Sequence, residues 1–406
     1  MKKIIAILLI SLNFAVIIKV EPYLQDAHPH SITIMWETDT NDQSIIHYGL
    51  DNTLGNNAIG MAQVSLGLAR IHTVTINGLN PSTRYYYKVS TNNTESEIYN
   101  FITPPDSHEH FSFVAMSDMQ RDSGNPNKFA EVVNDGIIGF LNNNYSGDLA
   151  SDLGFIMIPG DLVPNGLNYY EWENYFFDPS APLFSYVPVY PVPGNHENDA
   201  EYFFKYFHLP LNGTEQYEEH WWFKDYSNVR IIGLDSNWDY QVDEQLNWLE
   251  NLLNESCSDN NIDFVFAELH HPHKSELWLS GETDYTGDVI ERLENFSTNC
   301  GKPSIHFFGH THGYSRGQSI DHQHLWINVA TAGGNIDYWD EYAQNDYDEF
   351  TISLSEWGFV ILDVITGDNP QFTLRRVSRG NEYEFMDNTV RDVITIRRFN
   401  DPPELP

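Results

Sequence analysis

The chain has 406 residues, of which 41% are hydrophobic and 14% aromatic, so it is long enough to form two domains with filled cores. It carries 21 Lys and Arg residues against 58 Asp and Glu residues, which gives a formal net charge of −37. Binding to nucleic acid or to anionic membranes relies on cationic side chains, and this charge therefore argues against both as partners. An anionic ligand would need a bound cation to reverse the local field.

The N-terminus has the layout of a secretory signal. Lys2 and Lys3 precede an apolar run over residues 4–18, and Lys19 follows it. The run is short for a membrane span. We expect residues 1–19 to be a signal peptide and the protein to be secreted, periplasmic or at the cell surface. An uncleaved anchor and a buried first strand are the alternatives.

Residues 20–105 read as a small all-β sandwich. Short runs alternate with period two and are separated by turn residues, which is typical of such a sandwich. The clearest runs are 31–36, 72–76, 85–89 and 99–103. Trp36 is predicted to be a core anchor. Pro104 and Pro105 form a linker, because successive prolines cannot continue a strand ladder.

After the linker the pattern changes to alternating strands and helices, which predicts a layered α/β domain over residues 108–366. The strand-like runs are 111–116, 155–158, 229–234, 264–269 and 305–308, and the clearest helical stretches are 129–141 and 242–253. Residues 367–406 read as a C-terminal strand extension and tail.

The two cysteines, Cys257 and Cys300, occupy equivalent places, each after a helical stretch and shortly before a strand-like run. Successive parallel strands could bring them together, and an exported protein could oxidise them to a disulfide. Two free, partly buried thiols fit the sequence equally well.

Five short polar motifs follow strand-like runs. They are Ser117-Asp118-Met119-Gln120, Gly160-Asp161, Gly194-Asn195-His196-Glu197, Leu269-His270-His271-Pro272 and Gly309-His310-Thr311-His312. Each alone is more often a turn or a surface loop. Because sites in open α/β folds form at the carboxyl ends of strands, five such motifs together predict a metal site. Carboxylate, amide and imidazole groups without thiolates suit Zn, Fe, Mn or Ni.

The order of these motifs resembles the signature of the calcineurin-like metallophosphoesterases. Residues 20–105 resemble the N-terminal domain of purple acid phosphatases in Glu21-Pro22-Tyr23-Leu24-Gln25 and in the run 31–36, and residues 79–85 resemble the tyrosine corner of fibronectin type III modules. The resemblance covers roughly residues 20–365. It implies an N-terminal all-β, fibronectin III-like sandwich followed by an α/β four-layer metallophosphoesterase sandwich.

The resemblance also implies two metal ions, divalent or of mixed valence, with Fe, Zn or Mn expected. It places Asp118 and His312 on the first ion, Asp161 between the two ions, and Asn195, His270 and His310 on the second.

The same resemblance implies that His196 faces the substrate as proton donor or transition-state stabiliser, with Glu197 orienting it. His271, His273 and Arg316 are candidates for the wall of the substrate pocket.

Two positions depart from the family pattern. Gln120 stands where some superfamily members have a histidine ligand, and its amide oxygen makes it a weaker candidate ligand. Pro164 stands where purple acid phosphatases have a metal-binding tyrosine, while Tyr169 and Tyr170 fit no known spacing. We therefore expect no iron–tyrosinate colour.

The function implied is hydrolysis of small-molecule phosphomonoesters outside the cell, by attack of a hydroxide that bridges the two metal ions. A phosphodiesterase or nucleotide pyrophosphatase could share this metal core, with residues 275–286 and 336–350 shaping the pocket. A second alternative is a non-catalytic cell-surface binding protein with a decayed site, although none of the principal ligand positions carries an inert residue. The sequence does not indicate an oligomeric state.

Overall fold

The computed structural model describes residues 16–64 and 67–398. Most of the predicted signal peptide, residues 1–15, lies outside the described residues. Among the described residues, the first strand begins at Ile18, so residues 18 and 19 of the predicted signal peptide lie in that strand. Within the described residues, no helix combines the length and the apolarity needed to cross a membrane.

The N-terminal domain is a β-sandwich, as predicted. Its strands are β1 (Ile18–His28), β2 (Ser31–Thr38), β3 (Ser44–Gly49), β4 (Asn56–Val64), β5 (Arg70–Asn77), β6 (Arg84–Thr91), β7 (Thr94–Glu95) and β8 (Tyr99–Ile102). They pair in the order β1-β2-β5-β4-β3-β6-β7, with β8 also on β6. Trp36 is fully buried in the core. The Tyr85 hydroxyl accepts a hydrogen bond from the Asn80 backbone N–H at 3.0 Å, which is the expected tyrosine corner.

Two further sheets form the second domain. Its strands are β9 (Phe111–Ala115), β10 (Phe155–Pro159), β11 (Val189–Val192), β12 (Trp222–Tyr226), β13 (Val229–Gly233), β14 (Phe264–Glu268), β15 (Ser304–Phe308), β16 (Tyr314–Gln318), β17 (His324–Val329), β18 (Phe350–Leu354), β19 (Trp357–Ile365), β20 (Gln371–Gly380) and β21 (Phe385–Arg397). One sheet has the order β11-β10-β9-β19-β20-β21, and the other has the order β12-β13-β14-β15-β17-β16-β18. The strands β9 to β11 are parallel neighbours, and so are β13 to β15.

Helices cover the outer faces of both sheets. The helical segments are Lys128–Glu131, Val132–Ile138, Gly139–Asn144, Leu149–Asp152, Tyr169–Glu171, Trp172–Phe177, Asp178–Phe184, Glu201–Tyr206, Asp243–Ser258 and Asp284–Cys300, with single 3₁₀ turns at Asn195–Glu197, Glu215–Tyr217, Trp238–Tyr240 and Leu279–Gly281. Phe140 packs on Phe359 of the first sheet, and the inner faces of the two sheets meet where Phe113 lies 5.6 Å from Phe266 between ring centroids. The predicted four-layer α/β architecture is therefore confirmed.

The C-terminal strands belong to the first sheet. Strand β20 pairs with β19 across residues 357–365, and β21 completes the edge. The sequence division between residues 366 and 367 thus falls between two neighbouring strands of one sheet. Residues 399–406 lie outside the described residues.

Cys257 and Cys300 form a disulfide, with their Cα atoms 5.4 Å apart. Cys300 ends the helix Asp284–Cys300, and Cys257 lies in the last turn of Asp243–Ser258. These helices precede the neighbouring parallel strands β15 and β14, which brings the two helix ends together.

The two domains share a buried polar contact. The Glu37 side chain is fully buried and accepts hydrogen bonds from the hydroxyls of Tyr169 (2.5 Å) and Tyr206 (2.6 Å). Lys19 donates a further hydrogen bond to the Tyr169 hydroxyl at 2.9 Å. Burial raises the pKa of the Glu37 carboxyl. The Tyr169 hydroxyl is therefore engaged in the contact between the domains.

Candidate metal centre

The residues predicted as metal ligands are called the ligand group below. They are Asp118, Gln120, Asp161, Asn195, His270, His310 and His312. The members follow β9, β10, β11, β14 and β15, whose carboxyl ends lie side by side in each sheet. The potential ligand atoms of Asp118, Asp161 and His270 all lie within 4.8 Å of one another, and so do those of His270, His271 and His310.

Glycines let the loops approach closely enough to form this group. A Cβ on Gly194 would lie 2.2 Å from the Oδ1 atom of Asp161, and a Cβ on Gly309 would lie 2.3 Å from the Oδ2 atom of Asp118. No other residue type could occupy these positions without moving a carboxylate. The Gly-Asn-His and Gly-His motifs therefore have a steric reason as well as a chemical one.

Three members of the ligand group have left-handed backbone conformations, with φ of 56° at Asp118, 55° at Asp161 and 72° at His310. Such a conformation costs on the order of 1–3 kcal/mol for a non-glycine residue and clusters at functional sites. Backbone hydrogen bonds between loops hold it, as from Asp118 N–H to the Gly160 carbonyl at 3.2 Å.

Asp118 and His312 lie together on one side of the group. Oδ1 of Asp118 is 3.2 Å from Nε2 of His312. The Ser117 hydroxyl donates to Oδ2 of Asp118 at 2.6 Å, and the His310 backbone N–H donates to the same carboxylate at 3.1 Å. Asp118 is fully buried, so its carboxylate has a fixed direction.

His270 connects Asp161 to the other side of the group. Its Nε2 atom lies 3.3 Å from Oδ2 of Asp161, 3.0 Å from Oδ1 of Asn195 and 3.2 Å from Nδ1 of His310. Donor atoms of these types surround a metal ion in carboxylate–imidazole sites.

Three histidines near the centre each donate Nδ1–H to a backbone carbonyl, which leaves Nε2 directed at the site. The donor and acceptor pairs are His270 with Pro159 (2.9 Å), His312 with Asn335 (2.5 Å) and His196 with Pro164 (2.7 Å). The His196 side chain is 40% exposed and its Nε2 atom lies 3.8 Å from Oδ2 of Asp161, so it can meet a ligand from solvent.

Glu197 holds the loops rather than the His196 ring. Its fully buried carboxylate accepts hydrogen bonds from the backbone N–H groups of Asp161 (2.9 Å), Leu162 (2.8 Å) and Gly194 (2.7 Å). This contact differs from the expected one, since the Pro164 carbonyl is what orients the His196 ring. Burial and the charge of Asp161 raise the pKa of the Glu197 carboxyl to about 7.

The carboxylates give the centre a strong attraction for positive charge. Burial alone would lower the pKa of His270, but Asp161 raises it to about 10. Burial likewise opposes a proton on His312, and Asp118 still raises the pKa of His312 to about 9. In the metal-free protein these histidines therefore carry the charge that cations would otherwise bring.

Gln120 supplies the clearest test of whether a cation fits. Its Oε1 atom is buried and has no hydrogen-bond partner, although a buried amide oxygen is normally satisfied. The amide nitrogen of the same side chain lies against Nε2 of His312 at 3.0 Å. An unpaired buried oxygen beside buried carboxylates and imidazoles fits a metal centre.

Of the predicted pocket residues, His271 lies at the centre. Its ring centroid is 4.6 Å from that of His310 and 4.9 Å from that of His270. Its Nδ1 atom lies 2.9 Å from the Ser236 hydroxyl, which also accepts hydrogen bonds from the backbone N–H groups of His270 and His271.

His273 and Arg316 make other contacts. Nδ1 of His273 is 3.4 Å from the Thr283 carbonyl, and its ring centroid lies 6.1 Å from that of Trp326. The Arg316 guanidinium pairs with the carboxylate of Asp392 on β21, at 2.5 and 3.1 Å. The N–H donors of Arg316 that make this pair are therefore directed at β21.

One residue at the site, Ser236, was missed by sequence reasoning, whereas Trp278 lies within the predicted pocket segment 275–286. Ser236 follows the predicted strand 229–234, so the carboxyl-end rule could have found it. The ring centroid of Trp278 lies 5.1 Å from that of His310. Its loop is joined to the other predicted pocket segment by a hydrogen bond from Leu279 N–H to the Ala343 carbonyl at 3.1 Å.

The fold and this centre define the class of protein. The chain belongs to the calcineurin-like phosphoesterase family, whose model matches residues 111–314, and residues 19–103 match the model of the purple acid phosphatase N-terminal domain. It is therefore a metal-dependent phosphoester hydrolase of the purple acid phosphatase-like kind, and the predicted resemblance is confirmed.

Named relatives agree with this assignment. The chain is 24% identical over 335 residues to probable purple acid phosphatase 20 of Arabidopsis thaliana, covering 76% of this chain and 72% of the relative. It is 32% identical over 132 residues to a probable glycerophosphodiester phosphodiesterase of Arcobacter nitrofigilis, covering 29% of this chain and 41% of the relative. A purple acid phosphatase from yellow lupin seeds shares the fold, with a TM-score of 0.73 at 18% identity over 93% of this chain and 74% of that one.

Proposed function

We propose that this protein hydrolyses small-molecule phosphomonoesters at a centre of two metal ions. The convergence of the ligand group at one edge of two facing sheets carries this proposal. Asp118, Gln120 and His312 would hold the first ion. Asp161 lies between this side and the His270 side, and would contact both ions.

Asn195, His270 and His310 would hold the second ion, and the short distances from Nε2 of His270 to Asn195 and His310 support this grouping. Bound cations would supply Lewis acidity toward the phosphoryl oxygens and an activated water nucleophile. The family implies a centre with two metals, and Fe, Zn or Mn suit these donors.

His196 is the proposed proton donor to the leaving alcohol. Its Nδ1–H is held by the Pro164 carbonyl, so the partly exposed Nε2 faces the space beside Asp161. An imidazole in this position can donate a proton to the departing oxygen or a hydrogen bond to phosphoryl charge. Glu197 has an indirect, positioning role, because its carboxylate holds the backbone of the turns at Asp161 and Gly194.

The test is turnover of p-nitrophenyl phosphate, combined with elemental analysis of the purified protein. Asp161→Ala should lose both activity and metal, whereas His196→Ala should keep its metal and lose roughly 100-fold or more in kcat, the usual contribution of a general acid. His47→Ala is a matched control, because its ring contacts Asn57 in the sandwich. Full activity of both site variants would refute the assignment, and absence of metal from the unmodified protein would favour a decayed binding protein.

A phosphodiesterase is the second candidate, favoured by the similarity to the probable glycerophosphodiester phosphodiesterase. The ratio of turnover of p-nitrophenyl phosphate to that of bis(p-nitrophenyl) phosphate separates the two activities. We expect the monoester to be preferred, and preference for the diester would assign the second candidate.

Export is part of the proposal. The Cys257–Cys300 disulfide supports it, because such bonds persist in oxidising compartments. Fractionation of producing cells should find the protein outside the cytoplasm, and recovery in the cytoplasm with both thiols reduced would contradict export.

A further inference from the structure

Arg121 is an unpaired cation next to the metal centre. It directly follows Gln120 in the loop after β9. Over residues 16–64 and 67–398, every lysine and every other arginine makes a hydrogen bond or an ion pair, whereas the guanidinium of Arg121 makes neither. In a chain of net charge −37, a cation whose N–H donors have no polar partner is unusual.

The Arg121 guanidinium is held over an aromatic ring. It lies 5.0 Å from the ring centroid of Tyr175, and the side chain is exposed. Stacking leaves the planar fork of N–H donors free to bind a carboxylate or a phosphate in a bidentate manner. The contact therefore orients Arg121 without satisfying its donors.

A small cavity adjoins this side chain. Its volume is about 110 Å³, and its lining includes Arg121, Asn125, Lys128, Asn174, Tyr175 and Gly333. Lys128 is neutralised by Glu131 at 2.5 Å, and the nearby Asp122 carboxylate accepts a hydrogen bond from the Asn125 backbone N–H at 2.9 Å. Of the two cations that line the cavity, Lys128 is therefore ion-paired and Arg121 is not, and the space is sized for one small anionic group.

The lining of the cavity is connected through the chain to the Asp118–His312 side of the ligand group. Met119, which lines it, stands between Asp118 and Gln120 in the chain. A Cβ on Gly333 would lie 2.8 Å from the Met119 carbonyl, and a Cβ on the next residue, Gly334, would lie 2.8 Å from Cε1 of His312. Two lining residues are therefore covalent neighbours of residues packed on the metal centre.

We propose that Arg121 and this cavity form a subsite for a second anionic group of the substrate, a carboxylate or phosphate carried by the alcohol part of the phosphoester. This inference rests on the proposed function, since it requires the scissile phosphoryl group to lie at the ligand group. It names the substrate class as phosphoesters with two anionic groups.

The test measures binding of non-hydrolysable phosphonates to the metal-loaded protein by calorimetry. Propylphosphonate has a neutral tail, while 3-phosphonopropionate, 4-phosphonobutyrate and propane-1,3-diphosphonate add a second anion at similar chain lengths. At least one probe with two anionic groups should bind about 10-fold more tightly than propylphosphonate, as expected for one charge-assisted hydrogen-bonded contact. The carboxylate and diphosphonate arms identify which anion the subsite takes.

Substitutions test whether Arg121 is the source of this gain in affinity. Arg121→Gln should abolish the 10-fold difference while leaving the affinity for propylphosphonate unchanged, and Arg121→Lys should retain part of it. Arg397→Gln is the matched control, because it removes an equal charge from an exposed arginine on β21. The gain should persist in that variant.

The outcomes separate the two proposals. If propylphosphonate binds and no probe with a second anionic group binds more tightly, or if the gain survives Arg121→Gln, the subsite is overturned and the metal centre is not. Failure of every phosphonate to bind the metal-loaded protein overturns both.

Discussion

Substituting Gly194 with alanine isolates the steric part of the metal centre. Gly194 has φ −96° and ψ −176°, an extended conformation that alanine adopts without strain, so the change adds only a methyl group. That methyl carbon would lie 2.2 Å from Oδ1 of Asp161 and 2.5 Å from its backbone nitrogen. Real Cβ contacts are at least 3.0 Å, so Asp161 must move by roughly 0.8 Å or more.

The expected effect follows from the contacts of Asp161. Its Oδ2 atom lies 3.3 Å from Nε2 of His270, and its backbone N–H is held by Glu197 at 2.9 Å. A displacement approaching 1 Å at a reacting centre costs about 100-fold in rate. Overpacking costs about 1–3 kcal/mol of stability. We therefore expect Gly194→Ala to fold, to bind less than the full complement of metal, and to lose about 100-fold in kcat.

The assay combines elemental analysis, turnover of p-nitrophenyl phosphate and thermal unfolding. Gly55→Ala is the control, because a Cβ there meets no atom within 4 Å. It should match the unmodified protein in all three measurements. The reasoning fails if Gly194→Ala keeps full metal occupancy and a kcat within twofold of the control.

Three further predictions concern charge, crosslinking and pH. Loading the metal-free protein with metal ions at pH 7.5 should release about two protons, because nearby carboxylates raise the pKa of His270 to about 10 and that of His312 to about 9 despite burial. Calorimetry in buffers of different ionisation enthalpy measures the number of protons released, and no release would contradict the prediction. Replacing both half-cystines with serine opens a crosslink of sequence separation 43 and should lower the free energy of unfolding by about 4 kcal/mol; an unchanged urea midpoint would count against it. Burial raises the pKa of Glu219 to about 7, above its unfolded value, so its contribution to stability is present at low pH and is lost as pH rises from about 4.5 to about 7. Urea unfolding at pH 5 and pH 8 measures the difference in free energy of unfolding between the two pH values. Glu219→Gln should reduce this difference, whereas Glu215→Gln should not. The same difference in both variants would refute the assignment to Glu219.

Much of the convergence of the ligand group could be predicted, because each of its members is adjacent to a strong local pattern. Asp118, Asp161 and His310 lie two or three residues after buried apolar strands, and parallel strands bring such ends to one edge. The glycines before Asn195 and His310 were visible in the motifs, but the contacts that require them depend on the approach of a second loop.

The supporting contacts could not be predicted, because they depend on how loops from different strands meet. Nothing local shows that the Glu197 carboxylate binds the backbone of a turn 35 residues earlier, or that Asn335 orients His312. The strand order β19-β20-β21 is similarly non-local, since an apolar alternating run does not indicate which sheet edge it joins.

Pro164 shows how the site can differ from purple acid phosphatases and still keep its geometry. It stands where those enzymes have a tyrosine ligand, so no phenolate can reach the ions from this position. Its backbone carbonyl instead fixes the tautomer of His196, a role that needs no side chain. The resemblance therefore implies one ligand fewer and no iron–tyrosinate colour, while the positions of Asp161 and His196 depend on backbone contacts that proline retains. Loss of hydrolysis does not follow from loss of the tyrosine.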